Sequence, residues 1–420
     1  MDSTGLDVFL GFRLNWSLFI AGKFLSGTGK GKSRRFFSLS VVSVALSISV
    51  ILLSIATLQG FKGEIERKVT DLHGDFIIDS GLNTENGDPK PIPDSLFSKL
   101  EDISKINGVK MAVASSSKAC IVKSNEDLEG LIAKGIPKEK FTAYMDKYIK
   151  NGKLRAGSNW CVISTTTANR LKLDTGDRIT IVFFVLDDLG NSRPRARRLT
   201  IDAIYETGVD QIDGQMILLD QRMLLPLQPS DAKYSQMEIW VDSGEDLERM
   251  RSQLLKELPT GYVRLNTLQE HNRLIFDWLS ILNTNVLIIL VLMALVAIFG
   301  MSTTLLILII ERTPLIGLLS AMGAKFGEIG KVFLSQAMGI SILGLFIGNL
   351  LAFGLIWGQN TFKWIHLNQE VYFIPYVKFE ISTTEVIFVD LSAMLLIFLS
   401  LWLPARYIKK VDIIKAINFK

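Results

Sequence analysis

Four long apolar stretches organise the chain. Residues 36–61, 278–310 and 332–362 contain no charged side chain, and residues 386–404 contain only Asp390. A helix needs roughly 20 apolar residues to cross about 30 Å of hydrocarbon. The pattern therefore predicts four transmembrane helices, at residues 36–61, 278–310, 332–357 and 386–404.

The distribution of positive charge indicates how these helices are oriented. Lysine and arginine are concentrated in residues 1–35 and 405–420. Because cytoplasmic flanks carry an excess of Lys and Arg, both termini are expected in the cytoplasm. Four crossings then place residues 62–277 and 358–385 outside, and the loop 311–331 inside. Apolar positions at helical spacing before residue 35 predict an interfacial helix followed by a basic linker.

The outside segment 62–277 alternates strand and helix signals. Residues 178–186 and 198–207 have strand character and flank a turn-rich stretch, which predicts a long hairpin. Residues 245–258 predict an amphipathic helix packed on a sheet, with an apolar face formed by Leu247, Met250, Leu254 and Leu255. The predicted fold class is an α-helical membrane protein with four transmembrane helices and a large extracytoplasmic α+β domain between helices 1 and 2.

The predicted hairpin combines apolar and cationic side chains. Its first strand can direct alternate residues to the core, namely Ile179, Ile181, Phe183 and Val185. Apolar groups remain on the other face and at the tip, beside arginines; they are Phe184, Leu186 and Leu189, beside Arg193, Arg195, Arg197 and Arg198. Apolar and arginine side chains together suit a protein interface. The hairpin is a candidate partner-binding hook, and a solvated hairpin is the alternative.

The inside loop contains a short helix pattern. Thr313 can cap it, Pro314 suits its first position, and Gly323 supplies a left-handed stop. The apolar side chains between them follow a helical stripe and are Leu315, Ile316, Leu318, Leu319 and Met322. So short a helix is not stable alone in water. Its apolar face is expected to be buried on the membrane or on a partner.

Composition and motifs argue against a catalytic site. The chain is 48% hydrophobic and 21% charged, and its net charge of +4 is explained by the cations beside the membrane. The stretch SGTGKGKS approaches a phosphate-binding loop, but Ser26 occupies the position of the required first glycine. The three histidines lack metal-ligand spacing. Cys120 and Cys161 are expected as buried free thiols, with a disulfide as the alternative.

Two features of the membrane helices remain open from the residues alone. Gly344, Gly348 and Ala352 are spaced so that a neighbouring helix can approach closely, although such spacing is common by chance. Asp390 is either a functional charge within the membrane or a wetted residue near the outer end of its helix, and we favour the second interpretation.

The inside loop carries a family resemblance. Its pattern E-R-T-x-x-I-G-L-L-x-A-x-G-A, continued by Ile329, Phe333 and Gln336, resembles the FtsX-like permeases of ABC transporters. Across nearly the whole chain the similarity is to the lipoprotein-releasing LolC/LolE permeases, through FIAGKFL at 19–25, LQGFKGEI at 58–65, RLTIDAIYETGVDQIDGQMILL at 198–219 and LPARYIKKVD at 403–412. Two positions depart from the family pattern. Ser320 stands where these permeases often carry Lys or Arg, and Ile413 replaces the proline that usually follows the motif at 403–412.

The resemblance implies a bacterial inner-membrane permease subunit with a MacB-like periplasmic core. It implies that the chain is not itself an enzyme and binds no cofactor, because ATP and Mg are bound by a separate cytoplasmic ABC ATPase present in two copies. The other implied partners are a second permease copy or paralogue, lipoprotein cargo, a periplasmic lipoprotein carrier and membrane lipid, but no nucleic acid. The implied mechanism is mechanotransmission.

The resemblance also implies two functional sites. The ATPase-coupling helix comprises Glu311, Arg312, Leu315, Ile316, Leu318, Leu319, Met322 and Gly323. Cargo acyl chains are expected between the first and second membrane helices at the dimer interface, near Leu53 and Val291. The alternatives are another FtsX-like function, either MacB-like efflux or regulation of a cell-wall hydrolase, and a membrane-anchored receptor or adhesin.

Overall fold

The computed structural model describes residues 32–84, 88–97, 99–124, 127–155, 159–186, 192–228, 232–242, 244–259, 263–324, 326–367 and 374–405. The predicted interfacial helix, Leu189 and the tail beyond residue 405 lie outside these ranges. Two compact units form the chain. The first comprises residues 1–61, 280–365 and 377–420, and the second comprises residues 62–279 and 366–376.

The first unit is built on long apolar helices. These are α1 (Lys32–His73), α9 (Arg273–Glu311), α11 (Phe326–Phe362) and α12 (Thr383–Ala405). The short α10 (Thr313–Ala321) lies between α9 and α11. All four long helices contain stretches long and apolar enough to cross a membrane. Each extends beyond its predicted apolar run, because a helix continues after its hydrocarbon-spanning part ends.

Small residues let α11 pack closely on α1. A Cβ added at Gly344 would lie 2.7 Å from Cβ of Val44, and one added at Gly348 would lie 2.8 Å from the Ala45 carbonyl oxygen. The Ser49 hydroxyl donates to the Gly348 carbonyl at 2.7 Å. The predicted small-residue packing surface is therefore confirmed, with α1 as its neighbour.

The segment before α12 contacts α1 near Ala56 and Gly60. Any Cβ on Gly60 would overlap the carbonyl oxygen of Lys378, and the amide of Glu380 donates to the Ala56 carbonyl at 3.0 Å. The buried side chain of Gln359 holds this region together by bonding the backbone of Ile365 and Val377. Backbone contact this close requires glycine at position 60.

The second unit contains an eleven-stranded sheet. Its strands are β1 (Phe76–Asp79), β2 (Val109–Lys123), β3 (Leu128–Ile136), β4 (Ile149–Gly152), β5 (Cys161–Ser164), β6 (Arg178–Leu186), β7 (Ser192–Thr200), β8 (Ala203–Tyr205), β9 (Met216–Asp220), β10 (Gln236–Val241) and β11 (Arg264–Thr267). The strand order is β11-β1-β10-β2-β3-β9-β5-β8-β4, and β6 pairs with both β2 and β7. Only β3 with β9 and β5 with β8 are parallel among these pairs.

Short helices connect the strands. They are α2 (Asp94–Phe97), α3 (Leu100–Ser104), α4 (Lys138–Lys140), α5 (Thr165–Leu171), α6 (Asp210–Asp213), α7 (Leu247–Glu257) and α8 (Leu268–His271). Two apolar cores flank the sheet: one surrounds Phe76, Met237 and Leu254, and the other surrounds Phe183, Ile217 and Leu219. An α+β domain between the first two long helices is therefore present, as predicted.

The structure buries fewer residues of the predicted amphipathic helix than expected, and it shows whether the two cysteines form a disulfide. On α7 only Met250 and Leu254 of the four predicted residues are buried, whereas Leu247 and Leu255 are exposed, because the contact with the sheet is one residue wide per turn. Cys120 and Cys161 are buried free thiols. Burial raises the pKa of the Cys120 thiol to about 12, so it is unreactive at neutral pH.

Candidate functional site

The short helix α10 ends in a Schellman motif. Gly323 has a φ of +91°, its amide donates to the Ser320 carbonyl, and the amide of Ala324 donates to the Leu319 carbonyl, both at 3.0 Å. The predicted left-handed stop is confirmed. The predicted cap is wrong, because Thr313 lies inside the helix and its hydroxyl donates to the Ile310 carbonyl at 2.8 Å. Arg312 occupies the capping position, where its side chain makes no capping hydrogen bond.

The apolar residues of α10 divide between two faces. Ile316 is only 1% exposed and belongs to the apolar core of its own unit, and Leu319 packs against that core. On the other side Leu318 is 57% exposed and Met322 is 76% exposed, with Leu315 half-buried and Glu311 exposed beside them. The expectation that all five apolar residues are buried on the membrane or on a partner is therefore corrected for Ile316 and Leu319, which pack within their own unit. A hydrophobic edge of Leu315, Leu318 and Met322 remains available.

A cavity of about 300 Å³ lies within the first unit. It is bounded by α1, α9 and α12, and its lining includes Ile48, Ile55, Val291, Phe388 and Leu396. Ser392 contributes the one hydroxyl among otherwise apolar lining side chains of the described residues. Of the two residues predicted near a cargo site, Val291 lines this cavity and Leu53 does not, because the face of α1 turned to the cavity carries Ile48, Ile51 and Ile55.

The β6–β7 hairpin has two different faces. Its register pairs Phe183 with Arg195 and Val185 with Arg193, so these arginines lie on the face of the buried residues. The other face carries Phe184, which is 38% exposed, opposite Pro194. The prediction that Arg193 and Arg195 lie beside Phe184 is therefore corrected, because directly opposed residues share a face. The side chain of Leu186 is not among those described.

The return strand also begins earlier than predicted. β7 starts at Ser192, so the sequence RPRAR belongs to the strand rather than to the turn. It ends at Thr200, and residues 203–205 form β8, which pairs with β4 and β5 instead. The structure leaves β7 at the edge, paired with β6 alone among the described strands. Pro194 and the exposed arginines discourage further strand pairing at this edge.

The second unit contains a buried charge cluster that the sequence did not predict. Glu238 on β10 binds Lys134 and Lys140, and the three side chains have no exposure to solvent. Burial lowers the pKa of Lys140 to about 7, although Glu238 acts in the opposite direction. Burial alone would raise the pKa of Glu238, but the two ammonium groups outweigh it and hold that pKa below its usual value. The available signal was Lys134, a lysine in the otherwise largely apolar strand β3, whereas Lys140 lies in the charged helix α4 and gave none.

Comparison with known proteins decides the family. The family model described as MacB-like periplasmic core domain matches residues 37–257, more than half of the chain. The model described as FtsX-like permease C-terminal matches residues 287–413. The chain belongs to the FtsX-like permeases with a MacB-like periplasmic core. Permeases of this type are noncatalytic membrane subunits of ABC transporters.

Curated relatives cover almost the whole permease. The lipoprotein-releasing system transmembrane protein LolC of Neisseria meningitidis serogroup B is 21% identical, over 91% of this chain and 93% of its own. The corresponding LolE protein of Haemophilus influenzae is 20% identical, over 95% of this chain and 98% of its own. The crystal structure of the periplasmic region of MacB from Actinobacillus actinomycetemcomitans covers 48% of the permease and 92% of that chain, with 12% identity and a TM-score of 0.33.

Proposed function

We propose that this permease releases lipoproteins from the bacterial inner membrane toward a periplasmic carrier, driven by ATP hydrolysis in a separate cytoplasmic subunit. The observation that carries the proposal is the exposed hydrophobic edge of α10, between two membrane-length helices. Full-length similarity to proteins named for lipoprotein release supports the cargo class. The chain itself binds neither ATP nor Mg, and both belong to the partner ATPase.

The proposed topology has four crossings with both termini in the cytoplasm. Residues 36–61, 278–310, 332–357 and 386–404 span the membrane, and residues 62–277 and 358–385 lie in the periplasm. Residues 311–331 then face the cytoplasm and present α10 to the ATPase. Positive residues concentrated at both ends of the chain support this orientation.

The proposed ATPase contact uses the hydrophobic edge of α10. Leu315, Leu318 and Met322 are the residues placed to enter a groove on the partner, since Ile316 and Leu319 are occupied within the permease. Burying one such side chain stabilises a complex by roughly 1.5–3 kcal/mol before ordering costs. Two ATPase copies act with two permease copies, the second being identical or a paralogue.

The proposed path of cargo uses the cavity and the hairpin. Acyl chains would enter the apolar cavity bounded by α1, α9 and α12, which includes Val291. The second membrane helix, α9, supports this placement because it carries exposed apolar side chains that suit lipid or a second permease copy. These are Leu287, Leu292, Leu295 and Phe299. The β6–β7 hairpin would then hold the periplasmic carrier through Phe184 or through the arginine-bearing face.

Reconstitution tests the proposed function. The permease is co-purified with its ATPase, placed in liposomes with a triacylated fluorescent lipoprotein, and supplied with ATP and a periplasmic carrier. We expect ATP-dependent transfer of the lipoprotein into the soluble fraction. Retention of the lipoprotein with export of a soluble substrate would favour MacB-like efflux. Retention with activation of a cell-wall hydrolase would favour FtsX-like regulation, and either result would reject lipoprotein release.

A further inference from the structure

The end of α1 is held unusually firmly inside the second unit. A helix leaves its last carbonyl groups without partners in the helix and carries a partial negative charge there. In the permease the carbonyl of Leu72 accepts from Lys134 at 3.0 Å and from Lys140 at 2.8 Å. The carbonyl of Thr70 accepts from the Trp240 indole at 2.8 Å. Side chains from separate segments of the domain therefore satisfy the end of one helix.

The donors are themselves fully satisfied. Lys134 uses its three protons on the Leu72 carbonyl, on Glu238 Oε1 at 2.6 Å and on His73 Nδ1 at 3.0 Å. Lys140 binds Glu238 Oε2 and lies 4.7 Å from the centre of the Trp240 ring. Burying charges is costly unless every group is paired, and breaking one such pair is strongly destabilising. We call the set formed by Leu72, Lys134, Lys140, Glu238 and Trp240 the helix-end joint.

Packing beside the helix-end joint adds to its rigidity. Ile65, Val69 and Leu72 are fully buried, at positions i, i+4 and i+7 of one helical face. Asp71 accepts from the Tyr148 hydroxyl at 2.6 Å. Glu238 lies on β10, which pairs with β1 on one side and β2 on the other. A displacement of this helix end must therefore move an interior strand of the sheet.

The beginning of α9 contrasts with the end of α1. Leu274 is 84% exposed, and Trp278 is also exposed. Between residues 273 and 279 only Ile275 and Leu279 are buried. The beginning of α9 therefore buries few apolar side chains, whereas the end of α1 is bonded by buried lysines.

We propose that the helix-end joint is the place where movement of α1 is transmitted to the extracytoplasmic sheet, with Lys134, Lys140 and Trp240 as its positioning residues. The inference rests on the proposed function in that ATP hydrolysis must do work outside the membrane. α1 is continuous from Lys32 to His73, so no break in the helix absorbs an axial displacement before the joint.

Two variants loosen the joint without leaving an unpaired carboxylate. Lys140→Met removes one donor to Leu72 while Glu238 keeps Lys134, and Trp240→Phe removes the donor to Thr70 while keeping an aromatic ring. Lys118→Met is the control, since it also removes a buried lysine, but one that bonds Asp88 at 2.8 Å rather than α1, and Asp88 keeps the Ala119 amide as a donor at 2.6 Å. Trp240→Phe preserves the test if Lys140→Met fails to fold.

Hydrogen exchange on the full permease–ATPase complex in liposomes tests the inference. Loss of a hydrogen bond to a charged donor should accelerate amide exchange in residues 62–73 roughly tenfold or more in Lys140→Met, and Lys118→Met should not. With ATP, the wild-type complex should change its exchange in β10, and both joint variants should lose that change while still hydrolysing ATP. Lipoprotein released per ATP should fall several-fold.

The outcomes separate the joint from the lipoprotein assignment. Unchanged exchange at residues 62–73 in both variants, or an ATP-dependent change in β10 that survives in them, would overturn the joint. A wild-type complex without an ATP-dependent change in β10 would overturn it as well. If that change is present in the wild type and lost in the variants, but no lipoprotein is ever released, the joint stands and the proposed cargo is wrong.

Discussion

The side-chain amide of Asn349 on α11 donates to the carboxylate of Asp390 on α12, with its nitrogen 3.1 Å and 3.0 Å from the two oxygens. The same nitrogen lies 3.0 Å from the Leu345 carbonyl. Asp390 is half-buried and linked to a neighbouring helix. The interpretation of Asp390 as a wetted residue near the outer end of its helix stays a prediction.

We expect Asn349 and Asp390 to be energetically coupled. Asp390→Leu leaves a polar amide without its carboxylate, Asn349→Leu leaves a carboxylate without its donor, and the double variant removes both groups. Such bonds between membrane helices contribute about 1 kcal/mol. Unfolding in detergent, measured as a double-mutant cycle, should give a coupling of this size. Pairing Asn349→Leu with Ser392→Ala, whose hydroxyl bonds only within α12, should be additive, and additivity in both cycles would refute the coupling.

Aspartate at the hydrophobic edge of α10 should release the ATPase. Leu318→Asp and Met322→Asp place a charge in the proposed contact, a penalty of several kcal/mol, while both side chains are exposed in the permease itself. Co-purification of the ATPase should be lost and the melting temperature of the permease retained. Leu128→Asp, at an exposed leucine of the second unit, is the control. Wild-type recovery of the ATPase with either variant would exclude this edge as the docking site.

Ile316→Asp should behave differently from Leu318→Asp. Because Ile316 is buried in the core of its own unit, a charge there should destabilise the permease and reduce its yield before any partner is involved. Size-exclusion profiles of the two variants in detergent make the comparison. Monodisperse, fully stable Ile316→Asp protein would show that α10 is not packed as described.

The two faces of the hairpin can be tested separately for carrier binding. Replacing Leu189 together with Arg195 should weaken binding of the carrier without unfolding the domain, and Phe184→Ser should do so if the apolar face is the one used. Arg178→Ala, at the base of the same strand pair, is the matched control. Binding is measured by titrating labelled carrier onto the solubilised permease, and unchanged affinity for both the Leu189/Arg195 variant and Phe184→Ser would reject the hook.

Photocrosslinking should locate the cargo. A crosslinker at Val291 or Leu396 lies in the cavity lining and should trap lipoprotein, whereas one at Leu53 should trap it less. Leu350 on α11 is exposed but lies outside the cavity lining, so it reports contact with bulk lipid. Crosslinks from Leu350 alone would place cargo elsewhere.

The depressed pKa of Lys140 predicts a pH dependence of stability. Its pKa is 10.5 when unfolded and falls to about 7 in the folded state, so between these values the unfolded state binds the extra proton. Stability should therefore rise with pH between about 7 and 10.5, by at most about 1.4 kcal/mol per pH unit, and this group should add no further pH dependence below about 7. The difference in melting temperature between wild type and Lys140→Met should widen from pH 7 to pH 9. Trp240→Phe, which removes no titratable group, should show a constant difference.

Periodicity in the sequence predicts local structure well and orientation poorly. The apolar runs, the first hairpin strand and the stop at Gly323 depend on neighbours within a few residues, and all appear in the structure, whereas the return strand begins six residues earlier than predicted. The inward face of α10 could not be predicted, because Ile316 and Leu318 are equally apolar and tertiary packing decides between them. The helix-end joint could not be predicted either, because Lys140 and Glu238 are 98 positions apart and only the tertiary fold brings them together.

The position of Gly60 in the structure accommodates no residue larger than glycine. Even a methyl group there would strike the backbone of Lys378, whereas Gly354 is surrounded by open space. Among homologues that keep this architecture, position 60 should therefore remain glycine while position 354 drifts toward alanine and larger apolar residues. The absence of a side chain at position 60 thus sets how closely α1 and the backbone of residues 378–380 can approach each other.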